Sequence, residues 1–229
     1  MAVKVTKFGG SSLADAACFR KVRDIVLADD ARKFVVPSAP GKRYPGDEKI
    51  TDLLYLCAAQ AAQGLDFDAA WQQIEERYTS IERELSLGTG IAGELKAIRR
   101  NIENGASTDY IASRGEYLNG LLLADYLGYT FFDAAELICF HSDGTYDDET
   151  TQKWSQKLLD EQRVIVPGFY GRKRDGSIKT FSRGGSDITG SIVARAVQAD
   201  VYENGTDVSG FLMADPRVVD DPKVIKIVT

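Results

Sequence analysis

The sequence predicts an α/β domain: a mostly parallel central sheet with helices on both faces, a three-layer αβα sandwich, and a helical insertion over residues 51–127. Three observations carry this. Short apolar or β-branched runs alternate with stretches whose apolar residues recur every three or four positions, the pattern of strand–helix–strand units. Residues 51–127 keep the helical period almost throughout. No internal repeat and no Pro-, Ser- or Gly-rich linker divides the chain.

Taken in order, residues 2–8 form an apolar strand that runs into Gly9-Gly10-Ser11-Ser12. Residues 15–28 follow as a helix, with Phe19, Val22, Ile25 and Val26 on one buried face. Residues 33–36 make a second strand, ended by Pro37-Ser38-Ala39-Pro40-Gly41. A charged loop, 42–49, leads into the insertion, which Gly64, the cluster from Gly88 to Gly93 and Asn104-Gly105 divide into four helices. Residues 129–132 and 137–140 read as extended, 150–159 as helical and 164–169 as a β-branched strand. Residues 171–177 read as a polar, basic loop. A helix over 186–197 carries Ile188, Ile192, Val193, Ala196 and Val197 on one side, and 200–203 is a further short strand. Residues 224–229 read as the start of an element, so the chain is expected to continue beyond Thr229.

Composition excludes several classes. The chain has 229 residues, 44% of them hydrophobic, with 28 basic and 34 acidic side chains and a formal charge of −6. That composition supports one large domain or two small ones and argues against disorder. The acidic balance argues against a general nucleic-acid binder. No apolar run reaches the ~18–20 residues needed to cross a bilayer, and the start, MAVKVTKFGG, does not read as a signal peptide. Cys18, Cys57 and Cys139 are widely spaced and flanked by apolar residues, which predicts buried free thiols in a cytoplasmic protein. His141 is the only histidine, so a His-rich metal site is impossible and any Ser-His-Asp machinery would rest on that one residue.

Two glycine junctions suit anions. In Lys7-Phe8-Gly9-Gly10-Ser11-Ser12 the glycines let backbone approach a phosphate, and the amides of the next helical turn point at it. Lys7 shares strand parity with Val3 and Val5 and leaves the sheet on the side they bury. A charge placed there needs a partner such as a phosphate, unless its stem carries it out to solvent. In Ser182-Arg183-Gly184-Gly185-Ser186-Asp187 the same device is flanked by both charge signs, which suits a zwitterion. Taken alone, Asp187 is also a good first-turn acid for the helix dipole. Gly88-Thr89-Gly90-Ile91-Ala92-Gly93 fits the dinucleotide pattern G-x-G-x-x-G but follows a helix, so it reads as a helix–helix turn. Gly115, inside a helix, predicts close backbone packing or a ligand beside Glu116, which is otherwise a solvated side chain.

These segments, in this order, resemble the aspartate kinases of the amino-acid kinase fold. The resemblance rests on Val5 to Leu13 (VTKFGGSSL), Ser38-Ala39-Pro40-Gly41 with Thr51-Asp52-Leu53-Leu54, and Arg114-Gly115-Glu116. It continues with Gly184-Gly185-Ser186-Asp187, Thr206-Asp207-Val208 and Asp215-Pro216-Arg217-Val218-Val219. It implies transfer of the ATP γ-phosphoryl group to the β-carboxylate of L-aspartate, giving 4-phospho-L-aspartate, the first step toward lysine, threonine and methionine. It also implies Mg2+ carried in on the phosphates, a homodimer or higher homo-oligomer for the full-length protein, and a domain over 1–229 that lacks part of its C-terminal half and the regulatory ACT domains.

Carried over residue by residue, Lys7 and Asp187 are catalytic. Lys7, Gly9, Gly10, Ser11, Gly184, Gly185, Thr206, Asp207 and Arg217 face ATP, while Ser38, Thr51, Glu116, Arg183 and Asp187 bind aspartate. The remaining readings are another acid as acceptor on the same fold, or an amino-acid-binding fragment without catalysis. Leu212-Met213 replaces an aromatic that many relatives carry near the nucleotide, and Asn204-Gly205, small where a bulkier residue is common, predicts a looser strand.

Overall fold

The computed structural model describes residues 2–182 and 184–205. Strand β1, Lys4–Phe8, lies in the interior of a five-stranded parallel sheet. Its neighbours are β2, Arg32–Pro37, and β8, Val201–Gly205; β5, Val164–Ile165, and β3, Thr130–Phe131, extend the sheet beyond β2. Helices precede or follow the strands as the alternation requires: α1, Ala16–Leu27, after a short 3-10 turn, Gly10–Leu13; α6, Asp148–Ser155; and α7, Gly185–Ala196. The insertion is four helices, as its glycines predict: α2, Ile50–Ala62; α3, Asp68–Leu85; α4, Ile91–Glu103; and α5, Thr108–Leu127.

Strand pleating sorts the core into two. Phe8, Val35 and Ile165 face one side and pack with α1 to α5 around Trp71, Tyr78 and Leu122. Val5, Phe34, Val36 and Val164 face the other and pack with Ile192, Val193 and Val197 of α7. Helix α5 belongs to both layers in effect: it is buried nearly all round, and Ser107 caps it by accepting from the Tyr110 amide at 3.2 Å.

Three expectations are corrected. Residues 171–177 are not a loop: β6, Tyr170–Lys173, and β7, Ile178–Thr180, form an antiparallel hairpin, joined by β4, Cys139–Phe140, in a separate three-stranded sheet. The strand expected over 164–169 stops early, because Pro167 cannot donate to a ladder and Phe169 turns to φ 81°. Ile25 and Ile188 are exposed. The buried stripe of α1 is the narrower Phe19, Val22 and Val26, and the buried face of α7 runs through Ser186, Thr189, Ile192, Val193 and Ala196, which leaves Ile188 off that face. Cys57 and Cys139 are buried free thiols, whereas Cys18 is only half-buried. Gly88 to Gly93 is the turn between α3 and α4, and no described helix is long and apolar enough to cross a membrane.

Candidate active site

The two glycine junctions meet at the carboxyl ends of the central strands. Lys7 ends β1 on the face that Val5 buries, as its parity predicts, and its side chain is only 11% exposed. The partner it finds is a carboxylate: Lys7 Nζ lies 3.1 Å from Asp187 Oδ1. Asp187 is held by the first turn of α7, and Asn204, beside Lys7 in the β1–β8 register, donates to the same oxygen at 3.1 Å. Asn204-Gly205 therefore does not loosen β8. Gly205 is small because Phe8 fills the space a Cβ would take, at 2.7 Å, and its carbonyl accepts from the Gly9 amide at 3.2 Å.

The first junction is braced by the loop after β2. The Gly41 amide donates to the Gly10 carbonyl at 2.8 Å, and the Ser38 amide donates to the Phe8 carbonyl at 3.0 Å. A Cβ on Gly10 would lie 2.8 Å from the Ala39 carbonyl oxygen, and one on Gly41 would lie 2.7 Å from Gly10 C. Glycine is thus required at both positions for backbone to touch backbone. Asn119 of α5 donates to the Ser38 carbonyl at 2.6 Å. A cavity of about 450 Å3 opens beside this contact. Gly10, Ser11, Ser38, Gly41, Lys49, Thr51 and Glu116 are among the residues that line it.

Glu116 is the unusual group. It is 5% exposed, and its Oε2 has no partner among the described residues. Removal from water pushes its carboxyl up to about 8, against the opposing pull of the Ala39 amide and the Arg114 charge. Its position follows from Gly115: a Cβ there would lie 2.9 Å from the Ala39 Cβ and 3.2 Å from Leu54 Cδ1, so α5 packs against α2 and the Ser38 loop at backbone distance. Tyr78 seals the arrangement by donating to the Gly115 carbonyl at 2.7 Å. The solvated reading of Glu116 is overturned, and the packing reading of Gly115 holds.

The structure thus brings Gly10, Ser11, Ser38, Thr51 and Glu116 around one cavity, with Lys7, Gly9, Gly184 and Asp187 adjoining through the glycine pair. Gly184 takes the left-handed conformation, φ 56°, as the N-cap of α7, and Gly185 is pressed against Phe169. Arg183, Thr206, Asp207 and Arg217, like Leu212-Met213, lie outside the described residues. His141, half-exposed and 3.5 Å from Asp147, stands at a surface turn and takes no part.

Sequence reasoning missed the residues that hold this site together. Arg77 of α3, 3% exposed, donates to the carbonyls of Gly41 at 2.8 Å and Ala14 at 3.3 Å and to Asp47 Oδ2 at 2.6 Å. The available signal was an arginine inside the apolar stripe Ile74, Tyr78, Ile81. Arg114 is buried against the rings of Tyr110, Tyr117 and Tyr170, which ties α5 to β6 just before Glu116.

Comparison with known proteins agrees with this geometry. Residues 2–229 match the amino acid kinase family. Aspartokinase 3 of Bacillus subtilis (strain 168) is 39% identical, over 99% of this chain and 53% of that protein. Among solved structures, aspartate kinase of Clostridium acetobutylicum superposes with a TM-score of 0.93 at 54% identity, over 97% of this chain and 52% of that one. E. coli aspartokinase III in complex with aspartate and ADP superposes with a TM-score of 0.84 at 31% identity, over 97% of this chain and 53% of that one. The chain spans about half the length of these relatives.

Proposed function

The chain belongs to the amino acid kinase family, and from that premise we propose that it carries the catalytic domain of an aspartate kinase. The reaction is ATP plus L-aspartate giving ADP and 4-phospho-L-aspartate. A β-carboxylate oxygen forms a bond to the γ-phosphorus as the bond from that phosphorus to the β–γ bridging oxygen breaks. One observation carries this reading: a cavity lined both by an anion-suited glycine loop and by a buried carboxylate, one oxygen of which has no partner among the described residues. Similarity to a relative solved with aspartate and ADP supports it.

A carboxylate nucleophile is ionised at neutral pH, so no general base is needed. Catalysis then rests on alignment and on neutralising charge. Lys7 stabilises the moving phosphoryl group, and Asp187, 3.1 Å away, orients the ammonium and sets its charge balance. The Gly9, Gly10 and Ser11 turn supplies donors, as do Gly184 and Gly185 at the start of α7. Glu116 takes the ammonium of the amino acid, which restores the ionised carboxylate that burial disfavours. Ser38 and Thr51 line the acid's side of the cavity. Arg183 is assigned the α-carboxylate, and Thr206, Asp207 and Arg217 the nucleotide.

Magnesium fits as an ion carried by the phosphates. Mg2+ favours oxygen ligands and keeps several waters when bound to phosphates. Its chemistry there is neutralisation of the phosphoryl oxygens. The test is coupled ADP release with L-aspartate, L-glutamate, N-acetylglutamate and uridylate as separate acceptors. Aspartate is expected to support turnover and the others not. Turnover with another acceptor and none with aspartate overturns the assignment.

A further inference from the structure

Two lysines line the cavity that the sequence signature leaves out, Lys42 and Lys49. Both belong to the charged segment after Gly41, where a solvated loop would be unremarkable. Their setting is not that of a free loop. Among the described residues neither lysine has a carboxylate within ion-pair distance, because Asp47, between them, is taken by Arg43 at 2.8 Å and Arg77 at 2.6 Å. Lys49 is the N-cap residue of α2. A cation there stands at the positive end of the helix dipole, an unfavourable placement that an anion in the cavity would offset. Asp52, the acid of that first turn, is not part of the cavity lining. Glu116 lines the same cavity with a buried oxygen that has no partner among the described residues, so the space is built for charge of both signs.

The segment is also pinned from beneath. Arg77 and Asp47 are 3% and 5% exposed. Asp47 accepts from the Arg43 amide and both ends of its guanidinium, and Arg77 reaches from Asp47 to the Gly41 carbonyl. Gly41 in turn donates to Gly10. One buried guanidinium therefore sets the distance between the lysine-bearing segment and the glycine loop.

We propose that Lys42 and Lys49 are anion-binding residues of this site, held against it by a buried latch in which Arg77 is a positioning residue acting through Asp47 and Gly41. The inference rests on the functional reading above, which makes the anions the phosphoryl groups of ATP and the carboxylates of the acid. Glu116 meets the ammonium, and the two lysines, which line the same cavity, meet oxyanions.

The test is a mutant cycle on the full chain, with dissociation constants for ATP·Mg2+ and for L-aspartate measured separately by calorimetry at ~50 and ~300 mM salt. Lys42→Gln/Lys49→Gln should leave Tm unchanged, weaken at least one ligand about 10-fold or more and flatten its salt dependence. The two titrations show whether phosphoryl or carboxylate oxygens are the target. Arg77→Met should lower Tm and weaken the same ligand, although Arg77 is buried. Combined with the lysine pair it should add less than about 2-fold, and Arg77→Lys should recover part of the loss. If Arg77→Met does not fold, Asp47→Asn replaces it in the cycle. Wild-type affinities in the lysine double variant, or effects that multiply in the combined variant, overturn the inference. A wild-type protein that binds neither ligand overturns the functional reading and this inference with it.

Discussion

The two glycine junctions look alike in sequence and differ in what they use glycine for. In each, one glycine is closed in by its own protein and the other is open. Gly10 is closed in by the backbone of Ala39 and Gly41, and Gly185 by Phe169, whose Cδ2 would lie 2.6 Å from a Cβ. Among the described residues Gly9 has only ordinary contacts, the nearest being Lys7 Nζ at 3.7 Å, and Gly184 has only Asp187 Oδ2 at 3.9 Å. A glycine pair is therefore half fold and half site. The junctions also differ in charge: the first supplies the cation, Lys7, and the second the carboxylate that faces it, Asp187. Neither junction is complete without the other.

The comparison is broken most severely at Lys7. Lys7→Ala should lower kcat by roughly 10^2–10^3-fold, the usual loss for one charge-stabilising donor, with aspartate affinity little changed. An equal loss in affinity would mean that Lys7 binds the acid rather than the moving phosphoryl group. Next, Gly10→Ala forces a methyl against backbone and should cost about 1–3 kcal/mol of stability, read as a lower midpoint in urea. Gly9→Ala should melt with the wild type yet bind ATP·Mg2+ about 10-fold more weakly, because only an incoming phosphate contests that space. If both variants unfold alike, the division into closed and open glycines fails. Smallest is Gly184→Ala, which places an alanine at φ 56° and should cost about 1–2 kcal/mol. Its binding loss should be no larger than that of Gly9→Ala, and titration of the refolded variant checks it.

The legibility of the chain follows the same division between pattern and proximity. Periodicity places α1, α3 and α4, because each buries one recurrent face, and the glycines between helices mark where the insertion divides. The hairpin of β6 and β7 escapes because its strands are short and rich in lysine and arginine. Its turn, Asp175-Gly176 with Gly176 at φ 89°, is nonetheless a hairpin signal that the basic composition obscures. At the site, Lys7 is legible from strand parity and Glu116 from the glycine before it. Arg77 and Asp47 are not, since they are thirty positions apart and meet only through folding. The two cavity lysines are hidden for a related reason: an exposed charged loop in sequence gives no sign that its base is locked.

The most direct measurement of the central claim is the proton balance of L-aspartate binding, obtained by calorimetry in buffers of different ionisation enthalpy. Glu116, raised to about 8 by burial, is mostly protonated in the free protein at pH 7 and becomes a carboxylate when an ammonium arrives. Lys42 and Lys49 share its cavity; Tyr78 and Tyr55 feel its charge, and burial raises both phenols, so they keep their protons across this range. Binding should release about one proton at pH 7, much less at pH 9, and none in Glu116→Gln. Binding without proton release in the wild type, or with undiminished release in Glu116→Gln, would contradict the account.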